Sequence, residues 1–316
     1  MKIVIVGYGE MFQALISGVL KTNHEIIGVF RQENIKYPAL KRFFHDFICP
    51  SPDFNFVRAL KLKDINAPGV NSPKFLNEIS RLKADLIIAG SWSEKFSIQT
   101  INAPKIACIN AHPSLLPEFR GPNPYIHVIL QDRKESGITF HLMDVNYDTG
   151  AVLLQKHVVV TNTDTGGSLK LRCCDAAKKG IIELLNDFQN KINNPVSQNE
   201  QAATYQPQIS LSESILDFTK ETAVEIDRHI RALTPWMKCY IPYKNEFFTF
   251  KDYKIFGKPS DKPAATIVKK TRNSVFIVCR DGRVIHFKGL SIKRPLSKFY
   301  TALYIKYFMK INSQAI

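Results

Sequence analysis

A short apolar run that ends in polar residues, at positions 106–112 (IACINAH), most constrains what this chain can fold into. Apolar runs bounded by turn-forming residues are typical of buried strands in parallel sheets. In open α/β sheets, ligands bind just beyond the carboxyl ends of such strands. Because side chains two positions apart in an extended segment point the same way, Asn110 and His112 are predicted to face one ligand site.

A second predicted strand and a polar loop follow in the same stretch. Residues 138–143 predict the strand, and Asp148 follows it in a loop shaped by Gly150. A carboxylate beside His112 would raise the pKa of the imidazole by charge pairing and would orient the ring. Asn110, His112 and Asp148 together are therefore candidates for polarising a carbonyl, holding an oxyanion and moving a proton. Taken singly, they are more often a loop cap, a surface histidine and an ordinary turn former than a catalytic site.

Four sequence elements recur here in a fixed order, namely Asn110-x-His112, Ser114-Leu-Leu-Pro117, Arg120-Gly121 and Asp148-x-Gly150. In this order they resemble the signature of the folate-dependent formyltransferases, and the chain as a whole resembles the methionyl-tRNA formyltransferases within that family. The resemblance implies that Asn110, His112 and Asp148 are catalytic. It also implies that 10-formyltetrahydrofolate is the co-substrate, with no metal. The residues expected to border the folate are Ser114, Leu115, Leu116, Pro117, Ile88, Ala89, Gly90, Leu142, Asp144 and Tyr147.

The first half of the chain predicts an α/β fold. Strands at 2–6, 25–30 and 86–89 are separated by helical patterns at 11–20 and 72–82. A helix at roughly 168–190 is amphipathic and should cover the sheet. We therefore expect a doubly wound, mostly parallel sheet, which the resemblance makes a Rossmann-like formyltransferase domain. The turn Gly7-Tyr8-Gly9 lacks the third glycine of a dinucleotide fingerprint, so no nicotinamide cofactor is predicted.

The last third of the chain predicts a small β-barrel. Short strands are expected near 247–250, 254–256, 265–268, 274–278 and 284–287, and the resemblance implies an OB-like fold for them. The predicted organisation is a catalytic domain at 1–192, a polar linker at 193–207 and the basic OB-like domain at 208–316.

Positive charge is concentrated in that last third. From residue 206 on, 20 Lys and Arg face 9 Asp and Glu, which gives +11 of the total net charge of +15. A basic domain favours an anionic partner, with RNA first, although a lysine-rich solvated surface explains the charge equally simply. The candidate RNA contacts are Lys41, Arg42, Lys269, Lys270 and Arg272, the last three being expected in turns of the barrel.

Three functions remain open at this point. Formylation of initiator methionyl-tRNA fits the two-domain layout and the charge. Formylation of an amino sugar on a nucleotide carrier fits segments 7–12, 31–45 and 89–96, which depart from the pattern of the tRNA enzymes. A non-catalytic RNA-binding protein is the third, but it does not explain why Asn110, His112 and Asp148 are all present.

The cellular compartment is predicted from cysteine spacing and hydropathy. The six cysteines show no Cys-x-x-Cys or Cys/His ligand spacing, which favours reduced thiols over disulfides or zinc. No apolar run reaches the length of a membrane-spanning helix, and no secretory segment opens the sequence. We therefore expect a cytoplasmic protein without membrane partners.

Overall fold

A computed structural model describes residues 1–33, 46, 48–292, 301, 304–305, 309–311 and 313–315. The chain divides into two compact units. The first unit comprises Met1–Val128, Lys134–Thr161 and Ser168–Gln208, and the second comprises Ile129–Arg133, Asn162–Gly167 and Ile209–Ile316. Lys41 and Arg42 lie outside the described residues, as does most of the chain beyond residue 292.

The first unit is built on a six-stranded sheet with strand order β2-β1-β3-β4-β5-β6. Pairing is parallel from β2 to β4, and β5 and β6 continue the sheet antiparallel. The predicted α/β class with a doubly wound, mostly parallel sheet is confirmed. The strands are β1 Lys2–Gly7, β2 Glu25–Arg31, β3 Leu86–Gly90, β4 Ala107–His112, β5 Glu135–Leu142 and β6 Val152–Val159. The helices are α1 Gly9–Val19, α2 Pro52–Ala59, α3 Pro73–Leu82, α4 Ile98–Ile101, α5 Pro124–Leu130, α6 Gly166–Asn186 and α7 Phe188–Asn193.

Helix α3 shows how local sequence fixes one of these elements. The Ser72 hydroxyl accepts from the Phe75 amide at 3.2 Å, and proline occupies the first turn, as the sequence predicts. Phe75 and Ile79 are then fully buried in one core cluster with Val4 and Val6 of β1. Burial of each such side chain stabilises the fold by about 1.5–3 kcal/mol. The central strands are thereby held from this face of the sheet.

The glycines at the carboxyl ends of β1 and β3 allow these strands to lie close together. Gly7 pairs with Gly90, and a Cβ at Gly7 would lie 2.3 Å from the Gly90 carbonyl oxygen. Beyond the strand, the Gly9 amide at the start of α1 donates to the Asp53 carboxylate at 2.6 Å. That side chain therefore occupies the position beside a helix N-terminus where a Rossmann dinucleotide fold holds phosphate.

The second unit carries two antiparallel sheets, with orders β10-β11-β12-β9 and β13-β8-β7. This confirms the predicted β-rich second region. Its strands are β7 Ile241–Tyr243, β8 Glu246–Thr249, β9 Asp252–Phe256, β10 Ile267–Thr271, β11 Ser274–Val278, β12 Val284–Lys288 and β13 Ser291–Ile292. Helix α8, Ala223–Leu233, begins with a capping box between Thr222 and Glu225.

One strand of the second unit begins and ends later in the sequence than predicted. The apolar pattern predicts a strand at 265–268 with lysines in the turn after it, whereas β10 runs from Ile267 to Thr271. Lys269 and Lys270 are therefore strand residues, and the turn begins near Arg272. The reason is pairing with β11, which continues to Thr271 opposite Ser274 and outweighs the weak strand preference of lysine.

Within the described residues, no helix combines the length and apolar character needed to cross a bilayer.

Candidate active site

The end of β4 and the loop between β5 and β6 bring the three predicted catalytic residues together. His112 Nδ1 lies 3.3 Å from Asp148 Oδ1, and Asn110 Nδ2 donates to the same oxygen at 3.2 Å. Both His112 and the Asp148 side chain are largely buried. A single carboxylate oxygen thus joins the amide and the imidazole.

The Asp148 carboxylate is held in place from its other side by backbone. Its Oδ2 accepts from the Gly121 amide at 3.0 Å. Asp148 has a φ of 56° and Gly121 a φ of 95°, so both sit in a turn conformation that few side chains favour. Burial alone would raise the pKa of Asp148. The positive charges that His112 and His141 can carry, together with the Gly121 amide, outweigh burial and hold it well below the usual range.

His112 has an acceptor at each ring nitrogen. Its Nε2 lies 2.8 Å from the Phe119 carbonyl oxygen, which can only accept, so Nε2 carries a hydrogen. The proton that comes and goes is therefore the one on Nδ1, facing Asp148. Burial lowers the pKa of His112 below its ordinary value, and Asp148 and the Phe119 carbonyl only partly offset this. The carboxylate acts in the predicted direction, but the net pKa is lowered because the ring is too deeply buried for one carboxylate to compensate.

His141, on β5, is a fourth member of the cluster that the sequence analysis missed. Its Nδ1 donates to the Leu142 carbonyl oxygen at 2.8 Å, so its Nε2 accepts from the Asn110 amide at 3.2 Å. The same Nε2 lies 3.6 Å from Asp148 Oδ1. The two hydrogens of the Asn110 amide are therefore directed at His141 and Asp148. His141 lies opposite Asn110 on the neighbouring strand, so its place in the cluster could be predicted only with knowledge of the β4–β5 register.

The loop 114–117, predicted to border the folate, is shaped by hydrogen bonds to β5. Thr139 Oγ1 donates to the Ser114 carbonyl oxygen at 2.7 Å and accepts from the Leu116 amide at 3.1 Å. Ser114 is fully buried and its hydroxyl donates to the Glu118 carbonyl oxygen at 2.7 Å. Gln155 adds a bond to the Leu116 carbonyl oxygen at 2.8 Å. Any ligand contact from this loop would thus come from a preformed backbone.

The other predicted folate residues fall into two groups. Ile88, Ala89 and Gly90 are buried at the end of β3, next to β4, so only their main chain can reach a ligand there. In the loop after β5, Tyr147 is half exposed, with Lys95 Nζ 5.5 Å from its ring centroid. Leu142 and Asp144 flank this loop, and Asp144 accepts from Thr149 Oγ1 at 2.6 Å. These ligand roles remain predictions.

In the second unit, the cross-strand register sets four side chains in line: Lys269, Phe276, His286 and Lys254. We call them the lysine–aromatic row. The Phe276 and His286 rings stack with centroids 3.8 Å apart, and Lys269 Nζ lies 5.5 Å from the Phe276 centroid. Within the described part of the chain, His286 Nε2 has no hydrogen-bond partner.

The other two described RNA candidates differ from Lys269. Lys270 Nζ donates to the carbonyl oxygens of Ile305 and Met309, at 2.7 and 2.5 Å, so its charge is used inside the second unit. Arg272 is exposed in the turn between β10 and β11. Among the residues that the structure describes, no cluster of His, Cys, Asp or Glu has the arrangement of a metal site.

Comparison with known sequences decides the family. The formyl transferase family matches residues 1–185, and the formyl transferase C-terminal domain matches residues 208–297. This chain belongs to the formyltransferase family. The resemblance drawn from the four sequence elements is thereby confirmed, and formyl transfer is the activity this formyltransferase shares with its relatives.

Several curated relatives of this formyltransferase are named methionyl-tRNA formyltransferase. A methionyl-tRNA formyltransferase from Francisella philomiragia is 33% identical over 218 residues, covering 69% of this chain and 68% of its own length. One from Marinobacter nauticus is 26% identical over 282 residues, covering 89% of each chain.

Solved structures share the fold at lower identity. The N-formyltransferase from Helicobacter canadensis, in complex with folinic acid and dTDP-3-aminofucose, has a TM-score of 0.66 at 18% identity and covers 91% of this chain and 99% of its own. HypX from Aquifex aeolicus in complex with tetrahydrofolic acid has a TM-score of 0.62 at 16% identity and covers 98% of this chain. The match covers 48% of the HypX chain, so this chain spans about half the length of HypX.

Proposed function

We propose that this chain transfers the formyl group of 10-formyltetrahydrofolate to the methionyl amine of initiator tRNA. The observation that carries the chemical part is the Asp148 carboxylate, whose Oδ1 meets both Asn110 and His112 at the carboxyl end of β4. An enzyme with this substrate works where translation begins, so we place it in the cytoplasm.

The reaction needs one bond made, one bond broken and one proton moved. The acceptor nitrogen attacks the formyl carbon and gives a tetrahedral intermediate with an oxyanion. The bond from that carbon to N10 of the folate then breaks, and N10 takes the proton that the amine loses. A neutral, buried His112 suits acceptance of that proton at Nδ1, since Asp148 stabilises the imidazolium that forms. The imidazolium then returns the proton to the leaving nitrogen.

Asn110 serves the oxyanion in this scheme. Its amide hydrogens are directed at His141 and Asp148, and both acceptors hold the amide in one orientation. When the substrate oxygen enters, it shares one of these hydrogens with the acceptor already present, so the amide keeps its orientation. A donor already aimed at the reaction centre stabilises developing charge without a further cost of reorganisation.

Support for the folate donor comes from the family and from its structures. HypX is seen with tetrahydrofolic acid, and the Helicobacter canadensis enzyme with folinic acid. In this chain, the preformed loop 114–117 and the main chain of β3 are the parts we assign to the pterin end of the donor. Tyr147 and Lys95 offer an aromatic face and a positive charge to the rest of the folate donor.

Support for the tRNA acceptor comes from the relatives and from the second unit. Relatives named methionyl-tRNA formyltransferase match this chain over as much as 92% of its length. The lysine–aromatic row offers ring faces for stacking between two positive charges, which suits unpaired bases with their phosphates. Of the predicted RNA contacts, we keep Lys269 and Arg272 and replace Lys270 by Lys254. Lys41 and Arg42 remain candidates from sequence alone.

An amino sugar on a nucleotide is the second candidate acceptor. The specific observation in its favour comes from two similar solved structures that this chain matches over nearly their whole length. One is a sugar 3N-formyl transferase in the presence of dTDP, and the other is an N-formyltransferase in complex with dTDP-3-aminofucose. The departures at 7–12, 31–45 and 89–96 point the same way.

A parallel assay separates the two acceptors. The purified chain is given 10-formyltetrahydrofolate with charged initiator tRNA in one arm and nucleotide-linked amino sugars in the other. We expect formylated methionyl-tRNA, with kcat/KM for tRNA that falls steeply with salt because phosphate contacts release counterions. Turnover on a sugar alone would replace the tRNA proposal, and turnover on neither would refute both acceptors.

A further inference from the structure

A strap of chain lies beside the candidate active site, in a stretch where composition predicts only a polar linker. Val196 and Val152 exchange hydrogen bonds in both directions at 2.8 Å. Further on, the Arg120 amide donates to the Thr204 carbonyl oxygen, and the Gln206 amide to the Arg120 carbonyl oxygen, both at 2.9 Å. Residues 196–206 are thus bound at both ends to the rest of the first unit, beside the turn that carries Asp148. We call them the strap.

Gln198 is the strap residue that reaches this turn. Its Nε2 donates to the carbonyl oxygens of Asp148 and Gly150, at 2.9 and 2.7 Å. It is only partly exposed, whereas its neighbours on either side are exposed. The Gln198 amide therefore closes the turn around Asp148 from the backbone side.

Arg120 fixes which way that amide points. Its Nε and Nη2 donate to Gln198 Oε1 at 3.2 and 2.8 Å, and it pairs with both carboxylate oxygens of Glu200 at 2.9 and 2.7 Å. A guanidinium can only donate and a backbone carbonyl can only accept, so the Gln198 oxygen must face Arg120 and its nitrogen must face the turn. All four hydrogen-bonding positions of this amide are filled.

The same stretch of chain that carries Arg120 also holds the Asp148 side chain, through the Gly121 amide at 3.0 Å. We propose that Gln198 is a positioning residue, oriented by Arg120, that holds the Asp148 turn so that its carboxylate meets Asn110 and His112. The proposal rests on the catalytic role given to Asp148 above. A shift of about 1 Å at such a group can cost on the order of a hundredfold in rate.

Two substitutions at this position separate positioning of the turn from anchoring of the strap. Gln198→Ala removes both sets of bonds. Gln198→Glu keeps an acceptor for Arg120 but turns a carboxylate oxygen toward the carbonyls of Asp148 and Gly150, so it loses the bonds to the turn. Gln201→Ala is the matched control, because Gln201 is an exposed glutamine three residues further along the strap.

The first readout needs no substrate. Titration of the His112 ring by NMR reports how near the Asp148 carboxylate lies, since that carboxylate raises the pKa of His112. We expect both Gln198 variants to lower the pKa of His112 below its wild-type value, with Gln201→Ala unchanged. Equal far-UV circular dichroism and melting temperatures show that each variant is folded.

The second readout is formyl-transfer kinetics. We expect kcat to fall on the order of ten- to a hundredfold in both Gln198 variants, with a much smaller change in KM for the donor. Wild-type kcat in Gln198→Glu would mean that only the anchor to Arg120 matters and would overturn the proposal. Superimposable His112 titrations in all four proteins would overturn it too. If the wild type itself transfers no formyl group, the proposed function fails, while the titration still decides the role of Gln198.

Discussion

Two histidines in two regions of this chain have pKa values lowered by burial, but their neighbours give them different uses. His112 faces the carboxylate of Asp148, which opposes the decrease. His286 stacks on Phe276 between lysines, and Lys288 and Lys269 lower its pKa further, against a smaller opposing effect from Asp252. The first ring can accept a proton and be stabilised afterwards. The second stays neutral and lies stacked against another ring in a positive field.

The proposed function assigns chemistry to one of these regions and recognition to the other. The cluster in the first unit is buried and joined around one negative charge, as proton transfer requires. The lysine–aromatic row in the second unit is partly exposed and carries the opposite charge, as the proposed contact with a nucleic acid requires. Substitutions in the two regions should therefore affect different measured quantities.

The largest effect is expected from Asp148→Asn. The amide cannot stabilise a charged His112, so kcat should fall by about 10²- to 10⁴-fold, while affinity for the folate donor changes far less. Steady-state kinetics and donor titration measure the two effects separately. Asp175→Asn, which removes an exposed carboxylate paired with Lys179 on α6, is the isosteric control. Equal losses of turnover and donor affinity would count against the role assigned to Asp148.

Gly150→Ala should destabilise the turn that carries Asp148. A Cβ there would lie 1.8 Å from the Leu142 carbonyl oxygen, so the backbone must move. We expect the free energy of unfolding, measured in urea, to fall by about 1–3 kcal/mol. Gly257→Ala, just after β9, is the control, because nothing lies within 4 Å of its Cβ. A similar loss in both variants would show that the close contact at Gly150 is not what matters.

Lys254→Ala and Lys269→Ala should weaken tRNA binding through the lysine–aromatic row. Each change removes one positive charge beside the stacked rings, so affinity should fall several-fold and the salt slope should decrease by about one. Lys21→Ala, an exposed lysine of the first unit, removes the same charge elsewhere. If the control weakens binding as much as the row variants, the charge acts through the whole protein and not through this surface.

The smallest expected effect is a pH shift. The pKa of His112 lies below 6.5, so activity should rise with pH through a value under 6.5 as the ring loses its proton. The unfolded chain binds this proton first on acidification, so the group's contribution to stability falls as pH drops below about 6.5. Asp148→Asn should lower the pKa of His112 further. An NMR titration that places it above 6.5 in the wild type would contradict this.

How much of this was predictable from sequence depends on which contacts set each feature. Asn110, His112 and Asp148 could be predicted because strand periodicity and loop residues are local signals. His141, Gln198 and Thr139 could not, because their partners follow from the β4–β5 register and from a strap about 50 residues beyond Asp148 in the chain. The decrease in the pKa of His112 could not be predicted either, because it depends on how deeply the ring is buried, and tertiary packing determines that burial.

The strand β10 makes the same point in the second unit. Apolar periodicity ended the predicted strand before the lysines, but pairing with β11 carries it on to Thr271. That shift is what separates Lys269, in the row, from Lys270, which is tied to carbonyls of the C-terminal segment. Without the register, the two neighbouring lysines were indistinguishable.

The central claim is that His112 and Asp148 work as one unit, and a double-mutant cycle tests it most directly. Single-turnover rates of formyl transfer would be measured for His112→Ala, Asp148→Asn and the double variant, with the donor saturating. We predict that the double variant loses about as much rate as the more damaging single one, because each change disables the same proton transfer. Losses that multiply would show that the two residues act independently and would contradict the account.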